Sequence, residues 1–432
     1  MDNISGNESV NQKQLNTESK KPKLLGGCSI IACICVGTGT LTLPAAGAGA
    51  WTIWSILTLI GVMAIMISSG CILLEALKAY PYRSSYSTVT KDILGNRVAL
   101  INNLAVYFVG VILLYAYITV SGLILEEYVS INASVASVLF VSVFSFLIWH
   151  STKWVDRASL VLLLVMVFTF IFSVLGLVKD INVNFLMYHD PSGSQSKYVL
   201  SFLPIALAAF GFHHAVSTMR DYYRDEYVAQ RALVGGALIA LAVYVIWVLS
   251  IYGNIERSSF WEINAAGGNV DSLLLAIIEG LQDEALTIVI GSFSSAAILS
   301  SFIGVGLGLF DFLADVFKFG NSRIDRTKTW AVTFLPPLIC SLLYPMGFLI
   351  SIGYVAPFAA TWTCIIPVLI VRKLRKDSLM GSNTETQPSS SASQYRFVGG
   401  NGALFVVFSF GVSIVLIQFL DILDLLPRFG VS

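Results

Sequence analysis

Charge is scarce in this 432-residue chain. Asp, Glu, Lys and Arg make up 12% of it, about half the share usual in soluble domains. Apolar side chains make up 56%, more than a soluble surface could hide. A soluble enzyme is therefore excluded. Net charge is also lacking, with 26 basic against 26 acidic residues, so no nucleic-acid partner is indicated. Cysteine occurs without a ligand pattern. Cys28, Cys33, Cys35, Cys71, Cys340 and Cys364 all lie in apolar runs, with no CxxC pair. They predict small membrane packers, not disulfides or a metal site. Residues 1–23 have no apolar core and read as a polar tail before an uncleaved first span.

What is present is a series of apolar runs long enough to cross a bilayer as helices. Eleven can be placed, at 25–47, 51–77, 101–125, 133–150, 158–178, 198–219, 232–253, 286–314, 329–344, 347–371 and 400–420. Residues 24–180 and 198–371 form two blocks of five spans. A Ser/Thr/Asn-rich linker at 378–396 precedes the eleventh, 400–420. β-Barrel strands would alternate over about ten residues, and these runs do not. With the N-terminus in the cytoplasm, only Lys179, Lys197, Arg257 and Arg428 fall outside, leaving 22 of the 26 basic residues inside. That asymmetry predicts a cytoplasmic N-terminus and an external C-terminus.

Two spans look interrupted. The first carries Val36-Gly37-Thr38-Gly39-Thr40-Leu41-Thr42-Leu43-Pro44, a poor interior for a continuous helix. A helix stopping near Val36 and restarting near Thr40 would put Pro44 in a first turn, where its missing N–H costs little. It would also aim free N–H groups at mid-membrane. Close helix packing at the two glycines is the alternative. In the sixth span Phe210-Gly211-Phe212-His213-His214 lies within an apolar run, and intramembrane histidines are costly unless they work. Breaks in the first helix of each block are the mark of an inverted-repeat secondary transporter. Buried histidines satisfied by neighbouring carbonyls would be the structural alternative.

Other features carry less. Gly304-Val305-Gly306-Leu307-Gly308 lacks the preceding strand of a nucleotide loop and reads as helix packing. Asp311 and Asp315 read as solvated helix-end charges near Lys318, and Glu75 as a similar but deeper group. Ser294-Ser295 and Ser300-Ser301 in the eighth span offer hydroxyls for sodium together with carbonyls of the first span, against the commoner role of bonding their own helix. Asn3, Asn7 and Asn132 begin glycosylation-like triplets of little weight. A membrane enzyme would want an HExxH or paired intramembrane aspartates, and the sequence has neither.

Several segments resemble the hydroxy/aromatic amino acid permease family, in its tyrosine- and tryptophan-specific branch. They are Gly37 to Gly49, Leu73-Leu74-Glu75, Leu203-Pro204 with Phe210-Gly211-Phe212-His213, and Tyr244 to Trp247 with Gly253-Asn254-Ile255. Later come Ser301 to Val305 with Leu307 to Asp315, Pro336-Pro337, and Tyr344-Pro345 with Gly347-Phe348. The chain departs from the family pattern at Thr38, Thr40 and His214.

The resemblance implies a leucine-transporter-type fold of two inverted five-helix repeats and one extra helix, in a bacterial inner membrane. It implies an amino acid substrate, a co-transported ion and no cofactor. The carboxylate would sit on the backbone of Val36, Gly37, Thr38, Gly39 and Thr40. The ammonium would sit on carbonyls near Phe210 and Gly211, with Phe210, Phe212, His213 and Tyr117 around the side chain. Protons are the expected coupling ion, with His213, His214 and Glu75 as candidates, because histidine titrates nearest working pH. The substrate expected is tyrosine or tryptophan. The alternatives are a sodium-coupled transporter, with sodium at Ser294 and Ser295, or an exchanger for another neutral amino acid of serine/threonine type, or a passive channel. The charge asymmetry makes one direct prediction: a reporter fused after Ser432 is active only outside the cytoplasm. Activity inside would show that the spans are miscounted.

Overall fold

The structure, a computed structural model, describes residues 23–82, 84–150, 152–188, 194–265, 284–345, 348–379 and 395–430. Among them there is no strand. The helices are α1 (Leu24–Gly47), α2 (Trp51–Leu77), the short α3 (Tyr86–Leu94), α4 (Asn96–Val129), α5 (Ala133–His150) and α6 (Thr152–Val178). Then follow α7 (Val199–Ala209), α8 (Val216–Tyr223), α9 (Glu226–Tyr252), α10 (Glu284–Phe317) and α11 (Arg323–Leu343). Last come α12 (Phe348–Ala360), a π-helical turn (Thr361–Ile365), α13 (Ile366–Leu379) and α14 (Gly400–Ile422).

Nine helices among the described residues are long and apolar enough to cross a membrane, and ten once the bent α1 is taken as one span. The ninth expected span, 329–344, lies within α11 and is not in that set. Its helix starts earlier, at Arg323, because Ser322 caps it through the Asp325 N–H at 3.1 Å. That start draws Asp325, Arg326 and Lys328 into the helix and dilutes its apolar character. The expected linker at 378–396 lies mostly outside the described residues. At its far end Tyr395 is buried, and the Phe397 N–H bonds Glu75 at 2.9 Å.

Helices α1, α2, α7 and α9 form the middle of the bundle. α1 lies along α9 and α7, and α10 packs on α1, α4 and α6. α6 and α14 show large apolar side chains outward, among them Leu160, Phe168, Phe172, Phe405 and Phe419, as lipid-facing helices do. The expected helix-end charges appear as an exposed Lys318–Asp315 pair.

At the junction of α8 and α9 charge is buried instead. Asp225 caps α9 through the N–H groups of Tyr227 and Val228. This delivers Glu226 to Arg220 at 2.9 Å, with both side chains about 95% buried. Arg220 also donates to the Tyr80 carbonyl at 2.9 Å and lies over the Tyr82 ring. One guanidinium thus ties α8, α9 and the end of α2 together. Arg220→Met leaves a buried carboxylate alone, which costs about 3–5 kcal/mol. The single variant should therefore melt well below wild type in detergent, and Arg220→Met/Glu226→Leu should recover most of the loss.

Candidate functional site

The site is built where α1 bends and α7 stops. α1 is helical from Leu24 to Gly47, yet Leu24–Gly37 and Gly39–Gly47 meet at 49°. The expected stop and restart is therefore a kink, not an unwound gap. Its causes are local. Pro44 gives the Thr40 carbonyl no N–H partner, the Thr40 hydroxyl turns back to the Val36 carbonyl, and Thr42 bonds the Gly39 carbonyl at 3.3 Å. Such back-bonding bends helices.

The glycines serve close approach. A Cβ on Gly37 would come within 2.0 Å of the Ser301 hydroxyl. A Cβ on Gly39 would come within 2.6 Å of the Tyr244 hydroxyl and 2.8 Å of Ala209 Cβ. Val36 and Thr40 are buried beside them, while the Thr38 side chain lies outside the described residues.

The break in the sixth span falls where the sequence puts it. α7 ends at Ala209, Phe210 and Gly211 are non-helical, and a 3-10 turn at Phe212–Ala215 leads into α8. Gly211 sits at φ −76°, ψ 40°, a conformation not reserved for glycine. Its Cβ would meet the Ala208 carbonyl at 3.0 Å, so crowding disfavours a larger residue.

One hydroxyl joins the two interruptions. Tyr244, buried on α9, lies 2.5 Å from the Cys35 carbonyl and 2.7 Å from the Ala209 carbonyl. The first belongs to the turn before the α1 kink, the second ends α7. Phe210 meets the Tyr244 ring edge to face at 5.3 Å, and Tyr117, also fully buried, lies near it. In the sequence Tyr244 stands out only as part of the Tyr244 to Trp247 motif. The signal of its role is a phenol deep in an apolar helix, whose hydroxyl must find a partner.

This arrangement carries a signature across nearly the whole chain. Residues 20–418 match the tryptophan/tyrosine permease family. The chain belongs to that family. It is 39% identical to a tryptophan-specific transport protein of Haemophilus influenzae, covering 93% of this chain and 96% of that protein. It is 34% identical to the low affinity tryptophan permease of Escherichia coli over 95% of this chain and 99% of that one. It is 31% identical to a tyrosine permease of Enterobacter agglomerans over 95% and 98%. This family member is an integral membrane permease, not an enzyme.

Within the permease the remaining expected residues separate. His213 is buried, and its Nε2 lies 3.1 Å from the Ser69 hydroxyl of α2. It stacks on Phe212, with ring centroids 5.0 Å apart. His214 is exposed. Glu75 takes two bonds from Arg375 of α13, at 2.8 and 2.7 Å, besides the Phe397 N–H. Ser294 is buried while Ser295 is exposed, so the pair does not converge on one point. Ser301, a turn or two further on, is the α10 hydroxyl that meets α1. No group of three or more His, Cys, Asp or Glu among the described residues could hold a metal.

The permease junction makes Gly39 sensitive to any side chain. Gly39→Leu should insert at wild-type levels and lose uptake to background. Normal uptake by a well-inserted Gly39→Leu variant would show that the α1–α7–α9 contact is dispensable.

Proposed function

We propose that this permease is a secondary active symporter that carries an aromatic amino acid into the cytoplasm together with a proton. Tryptophan stands ahead of tyrosine as its substrate. The relatives named for tryptophan include several at 34–39% identity, and those named for tyrosine stand at 31% and 26%. The observation that carries the reading is the meeting of a kinked α1 and a broken α7 at Tyr244. Interrupted helices placed face to face at mid-membrane are how transporters of this kind build a substrate site.

In this reading the bundle has eleven spans, with α11 as the ninth. Residues 24–180 and 198–371 are inverted repeats, and 400–420 is the extra span. The chain lies in the inner membrane with its N-terminus inside and its C-terminus outside. The substrate carboxylate would sit on the backbone N–H groups of Val36, Gly37, Thr38, Gly39 and Thr40, which requires the helix to open at the α1 kink. The carbonyls of Phe210 and Gly211 take its ammonium, since carbonyls ending a helix carry partial negative charge. Phe210, Phe212 and Tyr117 wall the ring, as large flat side chains suit a large apolar substrate with one polar tip.

His213 lies beside this junction and is the coupling residue proposed, ahead of the exposed His214 and the ion-paired Glu75. Sodium is the weaker reading, because Ser294 and Ser295 face different ways. His213→Gln keeps size and hydrogen bonding but cannot be charged. In proteoliposomes it should lose accumulation driven by a pH gradient and keep exchange of labelled tryptophan at equal concentrations. His214→Gln should cost less. Retained accumulation in His213→Gln, or a sodium requirement in wild type, would overturn proton coupling through this residue. Wild-type uptake that never exceeds the external concentration would overturn active transport itself.

A further inference from the structure

The span formed by α12 and α13 contains a defect of its own. At its π turn the Ile366 N–H bonds the Thr361 carbonyl, five residues back, so the Trp362 carbonyl loses its usual partner. The next carbonyl, Thr363, would bond the N–H of residue 367, but residue 367 is proline and has none. Two consecutive carbonyls inside an apolar bundle are thus left off the regular ladder, and each is costly if unmet. Both are met by hydroxyls from elsewhere. Tyr86 of α3 bonds the Trp362 carbonyl at 3.1 Å, and Ser69 of α2 bonds the Thr363 carbonyl.

Ser69 has one proton. A carbonyl can only accept, so the bond to Thr363 commits that proton. The Cys364 thiol also lies beside Ser69, but a sulfur is the weaker acceptor. The Ser69 oxygen can then only accept from His213 Nε2, 3.1 Å away. His213 Nε2 must therefore carry hydrogen. In the neutral ring this makes Nδ1 the lone-pair nitrogen, and Nδ1 is buried without a partner. The Trp362 ring stands edge-on to His213, with centroids 6.1 Å apart, and the Phe212 ring covers a face.

We infer that Ser69 is a positioning residue: anchored on the π-turn carbonyl of Thr363, it holds His213 in the Nε2–H tautomer and reserves Nδ1 as the nitrogen that accepts a proton. The inference rests on His213 being the coupling residue for its functional meaning, but not for its structural content. It also makes a three-element chain. The break in the sixth span, the middle of α2 and the π turn are joined through His213, Ser69 and Thr363, so movement of any one changes the acceptor that His213 presents. The titratable group adjoining His213 in sequence is His214. The acid on the same helix as Ser69, Glu75, is held by Arg375.

The test is to read the tautomer directly. The chain has only His150, His189, His213 and His214, so 15N-histidine labelling in nanodiscs gives a spectrum that His213→Gln can assign. At alkaline pH the neutral His213 ring should show a protonated Nε2 and a bare Nδ1. Ser69→Ala should populate both tautomers, and Ser69→Thr, which keeps the hydroxyl, should restore the wild-type pattern. Uptake driven by a pH gradient should fall several-fold in Ser69→Ala and recover in Ser69→Thr. A wild-type ring protonated at Nδ1, or a Ser69→Ala spectrum unchanged from wild type, overturns the inference, as does lost uptake with the tautomer intact. If the tautomer responds as expected while His213→Gln still accumulates substrate, Ser69 is confirmed as the positioning residue and only the coupling reading fails.

Discussion

Inside hydrocarbon a backbone carbonyl without a partner costs several kcal/mol, so a membrane helix can be interrupted only where another group takes its bond. That constraint explains the polar contacts of the central bundle. The Tyr244 hydroxyl stands between the Cys35 and Ala209 carbonyls, at the α1 kink and the end of α7, where its one proton can serve either. Tyr252 serves Pro44 and Ser55 serves Gly47, at 2.8 and 3.0 Å. Ser69 and Tyr86 serve the π turn. In each case the donor is a hydroxyl, carried by an apolar helix for Tyr244, Tyr252, Ser55 and Ser69 and by the more polar α3 for Tyr86. A hydroxyl satisfies one carbonyl well and adds no charge that lipid or substrate would have to neutralise.

The same constraint fixes what α1 can do. At one end the Tyr223 hydroxyl meets the Lys23 and Leu24 carbonyls and receives the Gly27 N–H. At the other, Arg257 donates to the Ala48 and Gly49 carbonyls at 3.1 and 2.9 Å, and Asn264 to Ala45 at 3.2 Å. Arg257 also lies over the Phe429 ring. A tilt of one half of α1 would disturb the set at its own end and leave the other in place. The 49° kink between them allows that, because the two halves of the helix need not move as one rod.

Much of this was legible in the sequence, and what was not has a physical reason. The break at Phe210-Gly211 shows because a glycine and two histidines are anomalous in an apolar run, and local composition decides it. The α1 glycines and Pro44 show a disturbance but not its form. Whether a helix bends or unwinds depends on what fills the space beside it, and here Ser301, Tyr244 and Ala209 fill it. Long-range partners are silent in a single sequence. Glu75 and Arg375 are 300 residues apart, and nothing near Glu75 announces a guanidinium. Ser69 and Pro367 are individually unremarkable; the first matters only because the second leaves a carbonyl for it.

Energetics separates the two candidates for coupling. Both oxygens of Glu75 are engaged by Arg375, and one of them also by the Phe397 N–H. His213 can take a proton on Nδ1 without giving up its bond to Ser69. What opposes it is the burial of a cation among Phe212, Trp362 and the end of α7, unfavourable unless an opposite charge arrives. In the proposed site that charge is the substrate carboxylate, held on the backbone across the same junction. The carboxylate arrives with the substrate's own ammonium, held on the Phe210 and Gly211 carbonyls, so a proton on His213 would add a second cation beside it. A charged His213 and a bound carboxylate would each favour the other. Mutual preference of that kind is a coupling free energy between proton and substrate, which is what the proposed symport would require of this site.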